Sequence, residues 1–409
     1  MADIKLICFY LPQFHPTPEN DAWWGKGFTE WRNVTKAKPL FPGHYQPHIP
    51  ADLGFYDLRL PEVREAQAEV AREYGIHGFC YYHYWFNGRC ILERPFNEVL
   101  ASGKPDFPFC LCWANENWTR VWDGGEKNVL LEQKYNHEDD LAHIESLMPA
   151  FRDERYIRID GKPLFLVYRT ELMPDPARTA EIWREAAKRA GVGDLYLARV
   201  ESFDNATDPR GIGFDAAVEF APDGNYYGEK KFHGKFYEWL ARRGLLSKGY
   251  IENNVGNYRG LAALHRQRPD PTFTRFHCVT PSWDNSPRRK QGAWIYDGST
   301  PEIYGDWLKT ALRRTLKKHK GDERVVFINA WNEWAEGNHL EPDLKWGRAY
   351  LEATDIAKKA AISGEGENSH SPIPKGIGSP STPVAKRLYW KTAAFASKQV
   401  ELAKALFKK

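Results

Sequence analysis

The chain has 409 residues, 42% of them apolar and 27% charged, which suits one large domain with insertions or two to three ordinary ones. Lys and Arg number 57 against 54 Asp and Glu, a formal charge of +3, so no global field favours nucleic acid or an anionic membrane. The sequence contains no apolar run of about 18 residues that would cross a bilayer.

The predicted elements alternate along the chain. A strand at Lys5–Tyr10 follows directly on Met1, with no leader-like apolar segment. A helix over Pro61–Tyr74 has Pro in its first turn and Gly75 past its end. Next come a strand at His77–Tyr82, a helix at Glu93–Ser102, a strand at Phe107–Cys112 and a helix at His137–Arg152. The strand Pro163–Tyr168 precedes a helix over Pro176–Ala190, capped by Asp175 and stopped by Gly191. Strands follow at Leu195–Val200, Asp215–Phe220 and Phe276–Thr280. A helix over Pro301–His319 starts from Thr300, and the strand Arg324–Asn329 leads to a helix over Trp346–Ala361.

Short apolar strands alternating with helices predict an α/β fold, a parallel (β/α)₈ TIM barrel. The connections after strands are long and aromatic, at 11–60, 113–136, 221–275 and 281–299, while those before strands are short. That asymmetry gathers the elaborate βα loops on the C-terminal face, where barrel active sites are built. A doubly wound sheet would need a G-x-G-x-x-G turn, which the sequence lacks.

The barrel is expected to span 1–361. Residues 362–383 are rich in Gly, Ser and Pro and read as a flexible linker. Residues 384–409 read as an amphipathic helix with seven Lys or Arg and one Glu, suited to a protein partner or to peripheral contact with a membrane surface. Six cysteines without a C-x-x-C pair, five of them in apolar strands, predict reduced thiols and a cytoplasmic compartment.

Aromatic residues make up 14% of the chain, and many tryptophans fall in loops: Trp23, Trp24, Trp31, Trp85, Trp118, Trp122, Trp283, Trp331 and Trp334. Indoles beside amides and carboxylates suit a sugar, which has an apolar face and a hydroxyl edge. The densest cluster is Asn329–Pro342, after the eighth strand. There Glu333 and Glu336 stand i, i+3 between Trp331 and Trp334. Two close carboxylates desolvated by indoles keep one proton between them, which glycosidic bond cleavage requires.

Other strand ends supply candidate substrate-binding residues: Tyr10, Gln13 and His15 after the first, and Tyr82, His83 and Trp85 at the second. Trp113, Asn115, Glu116 and Trp118 follow the third, Tyr168 the fourth, Glu219 the sixth, and Trp283 and Asp284 the seventh. Glu30 and Trp31 come from the first long loop, and Trp331, Asn332, Trp334 and His339 from the last. The sequence has no H-x-H, no H-E-x-x-H and no zinc spacing of Cys and His, so neither a metal nor any other cofactor is expected. It lacks D-x-D as well, which argues against a metal-dependent nucleotide-sugar transferase.

The stretch Gly25–Trp31, continuing through Lys38–Phe41 and Gly43–Pro47, resembles the WbsX family, as do Pro281–Asn285 and Trp331–Pro342. Members are often labelled glycosyltransferases of surface-polysaccharide clusters. They are also grouped with glycoside hydrolase family 99, the endo-α-mannosidases. The resemblance spans 4–358 and implies a (β/α)₈ barrel acting on an oligo- or polysaccharide. Asn332–Gly337 matches the N-E-W-x-E-G stretch of the mannosidases. By that resemblance Glu333 is the base that deprotonates the sugar 2-hydroxyl, which attacks its own anomeric carbon. Glu336 is then the acid that protonates the leaving oxygen. Tyr10–His15 departs from the mannosidases' first-strand motif, so sugar identity does not carry over.

Three functions compete. The first is a retaining, metal-independent glycoside hydrolase. The second is a glycosyltransferase of O-antigen, lipopolysaccharide or capsule assembly. The third is a non-catalytic glycan-binding barrel.

Overall fold

In the computed structural model, residues 4–120, 125–203, 207–223 and 230–364 are described. Eight parallel strands form the central sheet: β1 (Lys5–Tyr10), β2 (Gly78–Phe86), β3 (Phe109–Trp113), β4 (Lys162–Val167), β5 (Tyr196–Glu201), β6 (Ala216–Glu219), β7 (Arg275–Val279) and β8 (Val325–Ile328). Each pairs with its chain neighbours, and β1 also pairs with β8, Cys8 opposite Ile328, which closes the barrel. All eight expected strands are present.

The longer helices include α1 (Pro61–Glu73), α2 (Arg94–Ser102), α3 (His137–Ser146), α4 (Pro176–Arg189), α5 (Tyr258–Gln267), α6 (Pro301–Lys318) and α7 (Ala349–Ile362). Asp175 and Thr300 cap α4 and α6 by accepting from Arg178 N and Ile303 N. The helix expected over His137–Arg152 is broken. α3 ends at Ser146, and a short helix, Met148–Arg152, restarts with Pro149 in its first turn. Pro149 has no N–H to continue the α3 ladder. Between β5 and β6 the described connection carries only a single 3₁₀ turn, Pro209–Ile212. The last helix starts three residues later than expected, after a turn in which Gly347 N donates to Asp343 O.

Strand alternation sorts side chains into two layers. Phe9 meets Tyr82, Phe220 and Phe327 at ring distances of 5.6, 5.9 and 5.4 Å. These rings come from strands that are not all neighbours, so they meet inside the barrel. The opposite parity faces the helices: Tyr10 reaches Gln67 of α1, and Trp113 packs on Trp183 of α4. All six cysteines are unpaired thiols, five of them buried. No helix among the described residues is long and apolar enough to cross a membrane. Apart from its first three residues, the expected linker, together with the basic helix at 384–409, lies outside the described residues.

Candidate functional site

Past β8, Asn332–Glu333 pairs antiparallel with Asn338–His339, and a 3₁₀ turn, Trp334–Glu336, closes the hairpin. Gly337 follows at φ +55°, a conformation glycine adopts without strain. Glu333 and Glu336 therefore flank one tight turn at the top of the barrel. Asn332 anchors the hairpin by bonding both the N–H and the carbonyl of Leu11, just past β1.

Arg288, on the loop after β7, forks between the two carboxylates. Nη2 lies 2.9 Å from Glu333 Oε2, and Nη1 lies 2.8 Å from Glu336 Oε1. Nη2 also stands 3.1 Å from Oε2 of Glu30, whose side chain is fully buried. Three carboxylates thus share this guanidinium. Burial pushes Glu333 up to about 8, with Arg288 opposing and Glu336 and Glu30 adding to the rise. Burial also raises Glu336, against the pull of Arg288. In both carboxyls the cost of desolvation outweighs the pull of the neighbouring guanidinium, which favours retention of a proton in the cluster.

Several expected residues gather here. Tyr84 and Tyr82 on β2 lie within the field of Glu333. Gln13 hydrogen-bonds the Tyr84 phenol, and its own Oε1 is buried without a partner. Tyr168 lies within the field of Glu336 and Glu116, and its ring is 6.2 Å from that of Tyr82. Trp118 meets Tyr84 at 5.6 Å and Trp23 at 5.2 Å, a half-buried aromatic group on the third-strand side. Arg169 bonds Glu116 and lies 3.9 Å over the ring of Phe203, which is 62% exposed.

Others do not reach this cluster. Tyr10, His83, Trp85, Trp113 and Glu219 have the outward parity and point into the helix layer. Trp85 donates to Asp139 of α3, and His83 bonds His143 at 3.0 Å. Glu219 is held by His277 Nδ1 at 2.9 Å, with Arg268 and Arg275 at 3.4 and 3.3 Å. The cations outweigh burial and hold its carboxyl well below the usual range. Asn115 orders Arg169 by bonding its N–H and carbonyl. His15 is buried, and burial pushes it down to about 4.

Four of the eight described loop tryptophans, Trp31, Trp85, Trp331 and Trp334, are core. Trp331 and Trp334 are buried. Trp31 packs on Trp334 and donates to Tyr56 O. Trp122 lies outside the described residues. Glu341, buried beneath Trp334, accepts from Gln67, Tyr56 and Trp334, and burial pushes it up to about 7. Asp284 is a buried joint rather than a substrate contact. Its Oδ2 accepts from His44 at 2.7 Å and Gln46 at 2.6 Å, and its Oδ1 from Ser286 N at 2.9 Å. Trp283 is half-buried against the core, and His339 stacks behind Trp334 at 3.7 Å.

Arg288 and Phe203 were not anticipated. The only trace of Arg288 in the sequence is the basic run Arg288-Arg289-Lys290 within a loop of the acid-bearing face. The absence of local metal spacing also hid a grouping of His48, His339 and Asp343, whose ligand atoms lie within 4.8 Å of one another.

The family described as Glycosyltransferase WbsX matches residues 6–354. Two relatives, each named "Uncharacterized protein WxcX", come from Xanthomonas campestris pv. campestris strains B100 and ATCC 33913. Each is 48% identical over 349 residues, 85% of this chain and 49% of the relative. The chain therefore spans about half the length of these curated relatives. Among solved structures, the GH99 endo-alpha-mannosidase from Bacteroides thetaiotaomicron, in complex with BIS-TRIS-propane, superposes with a TM-score of 0.52 at 16% identity. The match covers 89% of this chain and 99% of that one. A second structure of that enzyme gives 0.50 at 15% identity with the same coverage. A "Glycoside hydrolase-like protein" gives 0.52 at 14%, covering 87% and 94%. These likenesses establish the shared fold.

Proposed function

The chain belongs to the Glycosyltransferase WbsX family, a carbohydrate-active family, and we propose that its Glu333 and Glu336 cleave a glycosidic bond with retention. The substrate class is an oligo- or polysaccharide. The observation that carries this reading is Arg288 forked between the two glutamates beside the buried Glu30. It couples two carboxyls whose affinity for a proton is raised by burial, so that one can donate a proton while the other accepts one, beside Tyr82, Tyr84 and Tyr168.

The proposed step balances as follows. Glu333 takes the proton of the sugar 2-hydroxyl, and that oxygen attacks the anomeric carbon. The bond to the leaving oxygen breaks, and Glu336 delivers its proton there. In the second half Glu336 takes a proton from water. The water oxygen opens the three-membered ring, and Glu333 returns its proton to the 2-oxygen. The raised basicity of buried Glu333 favours proton abstraction from a weakly acidic hydroxyl.

A second reading follows from the family's own description: a sugar hydroxyl replaces water as acceptor, and the reaction becomes glycosyl transfer within polysaccharide assembly. Product analysis with and without an added acceptor sugar separates the two. Free reducing sugar in both cases supports hydrolysis, and product formed only with acceptor supports transfer. No turnover of any glycoside would leave a glycan-binding barrel.

A further inference from the structure

Behind the catalytic hairpin, His48, His339 and Asp343 meet in a buried corner. His48 Nδ1 and His339 Nε2 face each other at 2.8 Å, and Asp343 Oδ2 lies 4.0 Å from His339 Nε2. His339 Nδ1 donates to the Glu341 carbonyl at 2.9 Å, which leaves its Nε2 lone pair turned inward. Asp343 Oδ1 accepts from Trp346 N at 2.6 Å, and its Oδ2 accepts from Tyr45 at 2.9 Å. Backbone bonds from Leu344 N to Ile49 O and from Ala51 N to Pro342 O tie the two supporting segments together.

We propose that His48 Nδ1, His339 Nε2 and Asp343 Oδ2 form a binding site for a divalent cation of the zinc class. Tetrahedral zinc with bonds near 2.0–2.1 Å sets its ligands about 3.3 Å apart. The 2.8 Å His48–His339 and 4.0 Å His339–Asp343 separations bracket that value, and all three ligand atoms lie within 4.8 Å of one another, so side-chain shifts of about 1 Å would complete the site. Metal-bound histidine usually donates its other ring nitrogen to a carbonyl, as His339 does here. The fourth position falls to water from the adjoining cavity of about 110 Å³, which Tyr45, His48, His339 and Asp343 help to line. Lys345, the nearby cation, has Nζ 4.3 Å from the Tyr45 ring centroid.

The ion's role is structural. His339 pairs with Asn332 in the hairpin and stacks on Trp334 at 3.7 Å, so fixing His339 fixes the strand that carries Glu333. Sequence spacing conceals the site because His48 and His339 lie 291 residues apart.

The test uses the full chain, stripped of metal with a chelator and dialysed. Zn²⁺ is titrated by calorimetry and Co²⁺ by visible absorption. The expected result is one equivalent bound, the intense bands of four-coordinate Co²⁺, and a melting temperature that rises with Zn²⁺. His48→Gln and Asp343→Asn, which nearly keep side-chain size and, in the second, the bond from Trp346 N–H, should each weaken binding by about 100-fold, and Tyr45→Phe by about 10-fold. Absence of a stoichiometric site in the wild-type chain overturns the proposal. So does a site that His48→Gln and Asp343→Asn leave intact. Because the readout is binding, the result stands apart from the glycosidic chemistry.

Discussion

Asp284 and Glu336 are locked backbone to backbone. The Asp284 N–H donates to the carbonyl of Glu336 at 2.6 Å, and a Cβ on Gly337 would sit 3.0 Å from Asp284 Cβ and 3.2 Å from its carbonyl oxygen. The loop that carries Arg288 and the turn that carries Glu336 are thus one rigid unit. Gly337→Ala meets both this contact and a φ of +55°. The left-handed conformation alone costs roughly 1–2 kcal/mol. We expect a melting-temperature decrease, and a fall in kcat larger than that loss of folded protein explains, because Arg288 and Glu336 part. Thermal unfolding and steady-state kinetics on the same preparation would check this.

Arg288 sets the ionisation of the pair. Its charge favours the carboxylate forms and so holds Glu333 and Glu336 below where burial would otherwise push them. In Arg288→Met both carboxyls rise further, and the base is ionised only at higher pH. The ascending limb of the kcat/KM profile should move up by roughly 1–3 pH units, and less in Arg288→Lys. An unmoved limb would show that Arg288 does not control the catalytic proton.

Glu219 separates a strand-end residue from a cleft residue. Its oxygens are engaged by His277, Arg268, Arg275 and the Cys278 N–H. Glu219→Ala leaves buried cations uncompensated, at a cost of about 3 kcal/mol or more. Stability should fall while kcat and KM, measured well below the melting transition, stay at wild-type values. A raised KM without destabilisation would restore Glu219 to the substrate site.

The order of strands and helices was legible in the sequence because parallel-barrel strands are buried on both faces and read as continuous apolar runs. The same property hid which side chains face inward. Tyr10, His83, Trp113 and Glu219 sit at strand ends but on the parity that faces the helices. With both faces apolar, composition does not reveal parity. Glu333 and Glu336 are legible as a pair because they stand three residues apart in one short motif. Arg288 is not, because its partners lie 258, 45 and 48 residues away. Trp331 and Trp334 read as substrate contacts beside the glutamates, but the hairpin folds back and buries both.

The half-buried and exposed aromatics on this face predict a binding phenotype distinct from the catalytic one. Trp118→Ala and Phe203→Ala should weaken oligosaccharide affinity by about 1–2 kcal/mol each, since each removes a stacking face. Their effect on kcat for a saturating substrate should be small. Titration calorimetry with an inactive Glu333→Gln background measures affinity without turnover.

The most direct test compares Glu333→Gln and Glu336→Gln on an aryl glycoside and on an unactivated oligosaccharide. Glu333→Gln should lose turnover on both, because the 2-hydroxyl must be activated whatever the leaving group. Glu336→Gln should lose about 10²–10⁴-fold on the oligosaccharide and largely keep the aryl glycoside, which needs little protonation. Full activity of both variants on both substrates would contradict the account and place the chemistry outside this hairpin.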